Sequence, residues 1–73
     1  MTDKQYAVYM FLIKYIKENG YPPTLEEISD GVGVKAMSTI SIRLMELQED
    51  GWIEVKISSP RAIKVVGYKF VEV

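Results

Sequence analysis

Two adjacent prolines, Pro22-Pro23, constrain this chain more than any other feature of its sequence. Each lacks a backbone N–H, and each drives the residue before it toward extended geometry. No helix runs through them, so the periodic stretches on either side belong to separate elements. Thr24 follows at once, and Glu27 stands three residues on, which is the spacing of a capping box. Glu26 and Glu27 also suit the positive end of a helix dipole. Leu25, Ile28 and Val32 share a face, Gly31 weakens the end, and Gly33 supplies a turn. The stretch predicts a short helix over 25–32 with firm signals at both ends.

The flanks extend the pattern. Thr2 and Gln5 form a second capping-box pair. Tyr6, Tyr9, Ile13 and Ile16, with Leu12 beside them, predict a helix over 3–19 with this stripe in the core, ended by Asn19-Gly20. After Gly33, Val34 restarts the apolar pattern, and Ile40, Leu44 and Leu47 predict a third helix over 36–50 that stops at Gly51. Ser38, Ser41, Ile42 and Arg43 fall off that stripe. The period then changes to two. Ile53, Val55 and Ile57 alternate in a strand over 52–57, Ser58-Ser59-Pro60-Arg61 is a turn cluster, and Ile63 and Val65 point inward from a strand over 62–66. Residues 68–72 read either as a continuation of that strand, with Gly67 as a bulge, or as a third strand.

The expected fold class is therefore α+β. Three helices, with a glycine-bearing turn between the second and third, precede an antiparallel hairpin of two or three strands. That is the order of a winged helix-turn-helix, here one domain over 1–73. In that architecture the third helix enters the major groove and the hairpin, or wing, reaches the DNA beside it.

Composition narrows the function. Seventy-three residues allow one small core. The chain has no cysteine and no histidine, which removes thiolate metal sites, disulfides and the commonest general base. The Glu26-Glu27 pair is explained by the helix start. No catalytic residue, metal or cofactor is expected, nor any small-molecule substrate. The apolar run from Ala7 to Ile13 is too short to span a membrane, and Met1-Thr2-Asp3-Lys4 lacks the pattern of a signal peptide. The expectation is a cytoplasmic protein with no membrane partner.

The net charge of −1 conceals a segregated distribution. Between Gly31 and Met45 the charged residues are Lys35 and Arg43, and between Val55 and Val71 they are Lys56, Arg61, Lys64 and Lys69, with no acid in either segment. A protein that is acidic overall can present a basic face, and the face is what a polyanion meets. Lys35, Lys56, Arg61 and Lys64 are the expected phosphate contacts. Arg43 has two readings, a phosphate contact or an ion pair with an acid of its own chain. Ser38 and Ser41 offer hydrogen bonds to bases or phosphates, with Thr39 beside them.

The ordered series Gln5, Gly20-x-Pro22-Pro23-Thr24, Glu27-Ile28, Gly33, Leu44-x-x-Leu47, Gly51-Trp52-Ile53-Glu54 and Arg61-Ala62-Ile63 resembles the N-terminal DNA-binding domain of LexA repressors, regulators of the bacterial DNA-damage (SOS) response. The likeness needs no gap as far as about Val65. It implies a winged helix-turn-helix that binds double-stranded operator DNA as a homodimer. It also implies base contacts from Ser38, Ser41 and Ile42 and a wing contact from Arg61. Two positions depart from the family. Ala36 stands where a serine is usual, so the third helix lacks that cap unless Ser38 caps it two residues later, which would shorten the helix. Ile42 replaces a polar base reader, and an isoleucine meets only a thymine methyl or another apolar surface.

LexA repressors also carry a self-cleaving serine–lysine domain. Ser58 and Ser59 fit the wing tip rather than such a site, because no general base accompanies them. The chain is then a fragment of a longer repressor or a small stand-alone relative, prokaryotic or phage-encoded. The strand-like Tyr68–Val73 favours the stand-alone reading. A competing function is a winged-helix adaptor for protein partners, such as a phage protein that binds a host regulator. The pI near 5.3, Met37, Ile42 and the apolar C-terminal residues favour it.

Overall fold

The computed structural model describes residues 1–55 and 63–67. Within them three helices precede a two-stranded antiparallel sheet, the arrangement of a winged helix-turn-helix. Helix α1 spans Asp3–Asn19, α2 Leu25–Val32 and α3 Met37–Glu49. Strand β1 covers Ile53–Val55 and β2 covers Ile63–Val65.

Both capping boxes form. Thr2 Oγ1 accepts from the Gln5 N–H at 3.2 Å, and Gln5 Oε1 accepts from the Thr2 N–H at 3.0 Å. At α2 the corresponding pair is Thr24 and Glu27, at 3.2 and 2.8 Å. Each box satisfies two N–H groups that a helix start otherwise leaves orphaned. Gly33 ends α2 with φ +76°, and its N–H donates to the Ser29 carbonyl at 2.9 Å. This left-handed conformation favours glycine, because a β-carbon would crowd the backbone there.

The three helices pack pairwise, and α3 also contacts β1. Leu12, Ile28, Ile40 and Leu47 lie at the centre with no solvent exposure, joined by Val8, Ile13, Ile16, Leu44, Ile53, Ile63 and Val65. Strand register pairs Ile53 with Val65, Glu54 with Lys64 and Val55 with Ile63. The hairpin is tied to the helices by the Val55 N–H donating to Gln48 Oε1 at 2.8 Å and the Trp52 N–H to the Leu47 carbonyl at 2.9 Å.

Three expectations from the sequence are corrected. The buried stripe of α1 runs through Gln5, Val8, Leu12, Ile13 and Ile16, whereas Tyr6 is exposed and Tyr9 half-buried. Tyr9 packs edge-on against Trp52, with ring centres 5.6 Å apart. Leu25 is exposed, so the inner side of α2 rests on Ile28, with Val32 half-buried. Gly31 is no mere helix-weakener: a β-carbon there would collide with the Phe11 ring. Its absence allows α1 and α2 to approach closely. Ile57 and the proposed third strand over 68–72 lie outside the described residues.

Candidate nucleic-acid interface

The turn from α2 into α3 is built from the inside. Ser29 is buried, and its hydroxyl donates to the Val34 carbonyl. The Gly33 and Val34 N–H groups both return to the Ser29 carbonyl, at 2.9 and 3.1 Å. One buried serine thus closes the turn by three hydrogen bonds, and the next two residues, Lys35 and Ala36, are exposed.

Helix α3 begins without side-chain help. Ala36 holds the N-cap position in extended geometry (φ −81°, ψ 110°), with no side-chain hydrogen bond and no acid in the first turn. Ser38 is not the cap. It lies inside the helix, so the shortened alternative does not occur. The first turn of α3 therefore offers no side-chain cap and no carboxylate to its partial positive charge.

The first two turns present Met37, Ser38, Ser41 and Ile42 to solvent, with Thr39 half-buried beside them. Among the described residues the hydroxyls of Ser38 and Ser41 make no side-chain hydrogen bond, which leaves both free for a ligand. Arg43 takes the second of its two readings: its Nη1 lies 3.1 Å from Glu46 Oε1, an i,i+3 pair. An intrachain partner lowers its availability to a phosphate.

Lys64 is exposed at the centre of β2, between buried Ile63 and Val65. It stands directly across the ladder from exposed Glu54. The acid-free character of the second segment is therefore a property of the sequence and not of the sheet surface, because register brings an acid from the other strand alongside. Lys56, Ser58, Ser59 and Arg61 lie outside the described residues.

One residue escaped the sequence reading. Met45 is 59% exposed and lies one turn beyond Ile42, which is 53% exposed. The two share the outer side of α3. Their i,i+3 spacing was the available signal, hidden because both residue types are normally assigned to the core. Among the described residues no group of acids is placed to hold a metal ion, and no helix is long and apolar enough to cross a membrane.

A family model described as the LexA DNA binding domain matches residues 1–62, which include all three helices and β1. The LexA repressor of Caldicellulosiruptor saccharolyticus is 41% identical over 70 residues, 96% of this chain and 35% of that protein. The LexA repressor of Acetivibrio thermocellus is 41% identical over 69 residues, covering 94% of this chain and 32% of its own length. That of Staphylococcus epidermidis is 36% identical over 73 residues, covering 100% of this chain and 35% of its own. The chain spans about a third of the length of these curated relatives. The family match over residues 1–62, in a chain of three helices and a two-stranded antiparallel sheet, shows that the chain belongs to the LexA DNA-binding domain family.

Proposed function

We propose that this chain binds double-stranded DNA in a sequence-specific manner as the operator-reading part of a transcriptional repressor. The observation that carries the reading is the family match through α3, a helix whose outer side offers Ser38, Ser41 and Ile42 beside an uncapped, acid-free start. In this mode α3 enters the major groove while α2 lies across the backbone. Lys35 meets a phosphate at the mouth of the groove, and Lys56, Arg61 and Lys64 do the same from the wing. Ser38, Thr39 and Ser41 supply hydrogen bonds to bases or phosphates, and Ser58 and Ser59 are backbone contacts at the wing. Arg43 contributes only after leaving Glu46. A single copy reads a half-site of a few base pairs, so useful specificity needs two copies on a two-fold operator.

Titration of random-sequence duplex into the 73-residue chain at low salt tests this directly. The amides of Lys35 through Arg43 should shift, and amides that stay in place would reject the reading. Lys35→Ala should reduce the slope of log affinity against log salt by about one unit, the signature of one phosphate contact. The adaptor reading keeps one observation in its favour, the exposed Ile42–Met45 pair on the outer side of α3. It predicts no duplex-induced shifts there.

A further inference from the structure

We infer that Ile42 is a specificity-determining residue of the reading helix, and that it selects a thymine through the C5-methyl group. The inference rests on the DNA-binding reading and asks which base the surface prefers.

Ile42 lies in the second turn of α3 and is 53% exposed. Ser38 sits one turn before it and Ser41 beside it, both exposed on the same outer side. Ile42 belongs to no part of the core, which α3 enters through Ile40, Leu44 and Leu47. Its exposure therefore has no explanation in packing.

Charge identifies the occupant. No acid lies between Gly31 and Met45, the first turn of α3 has no carboxylate, and Lys35 is exposed at its entrance. An apolar side chain that follows an acid-free helix start, an exposed lysine and two free hydroxyls, and whose neighbouring carboxylate, Glu46, is paired with Arg43, suits a surface that is anionic at its edges and offers one apolar feature at its floor. The major groove has that form. Every base pair presents hydrogen-bonding groups there, and only thymine presents a methyl group.

Discrimination follows from what isoleucine lacks. It has no donor and no acceptor. Against thymine it buries a methyl group. Against a guanine, cytosine or adenine edge it covers polar groups and returns no hydrogen bond, which is unfavourable. The side chain is also β-branched and stiff at χ1, so little rotamer freedom is lost on contact. Met45, one turn further along, is longer and more flexible and lies further from the helix start, where base contacts concentrate.

The test uses the 73-residue chain and duplexes enriched by it from a randomised pool at low salt. In the preferred duplex each thymine is replaced, one at a time, by deoxyuridine, which keeps the pairing and removes only the methyl group. At one position per half-site the replacement should weaken binding about fourfold, the equivalent of one buried methyl group. Ile42→Val should retain that dependence. Ile42→Ser should bind thymine and deoxyuridine duplexes alike. A preferred duplex indifferent to every deoxyuridine replacement would overturn the inference and leave DNA binding intact. So would an Ile42→Ser variant with the wild-type thymine dependence. Failure to enrich any duplex, together with no binding of random duplex, would overturn the DNA-binding reading itself and move the Ile42–Met45 surface to a protein partner.

Discussion

Helices α2 and α3 are joined by four residues, yet they begin in opposite ways. The start of α2 is complete within the chain. Thr24 and Glu27 exchange hydrogen bonds, Glu26 and Glu27 lie at the positive end, and Pro23 is buried just before it. The start of α3 has an alanine, no side-chain cap and no acid. A missing cap of this kind costs about 1 kcal/mol. The contrast separates two tasks on adjacent helices. α2 is finished as a structural brace. The Thr39 N–H returns to the Ala36 carbonyl, and α3 leaves its remaining first-turn N–H groups and its partial positive charge for water, or for an anion that arrives from outside.

Substitutions on the two helices put this contrast to the test. The largest effect should come from the buried side of the brace. Ile28→Ala removes a side chain with no solvent exposure and should destabilise by about 2–5 kcal/mol. In so small a domain that is a large part of the total stability, and urea denaturation should show most of the folded baseline lost. Thr24→Ala should cost about 1 kcal/mol by the same measurement, since it opens the capping box of α2. Ala36→Ser should do the reverse at α3 and stabilise by roughly 0.5–1 kcal/mol, because the backbone at Ala36 already has the extended geometry of a cap. A serine there that brings no stability would mean that the start of α3 is already satisfied, and the contrast would fail. The smallest effect should be at Ile42→Ala, within about 0.5 kcal/mol of wild type, as for a surface position outside the core.

The brace was largely legible in the sequence. Pro22-Pro23, Thr24, Glu27 and Gly33 act through local backbone chemistry, and local chemistry is what a sequence displays. The packing was less so. Residues Gln5, Val8, Leu12 and Ile16 trace a stripe at helical spacing, and so do Tyr6, Tyr9, Ile13 and Ile16. Periodicity alone cannot choose between two stripes so close together. The choice is made by α2 and α3, which close over Val8 and Leu12 and leave Tyr6 outside. Gln5 tolerates burial in part because its side-chain oxygen accepts from the Thr2 N–H. Gly31 answers to Phe11, a residue twenty positions earlier, which no local signal reveals.

The proposed reading surface followed the same division. That Ser38, Ser41 and Ile42 face outward follows from the spacing of Ile40, Leu44 and Leu47. That Arg43 is held by Glu46, and that Lys64 stands opposite Glu54, depends on rotamer and strand register. Counting charges along the chain made both cations look freer than their surroundings leave them.

The hydrogen bond from Ser29 to Val34 has a consequence for how such a domain changes over generations. Because α3 is held from beneath, by the Ser29 hydroxyl that closes the turn before it and by Ile40, Leu44 and Leu47 in the core, its outer residues are not needed to hold it. Met37, Ser38, Ser41, Ile42 and Met45 are exposed and support no part of the core. On the proposed function, a lineage can alter them one at a time, and so alter the preferred site, without passing through an unfolded ancestor. Specificity and foldability are then inherited separately, on opposite sides of the same helix.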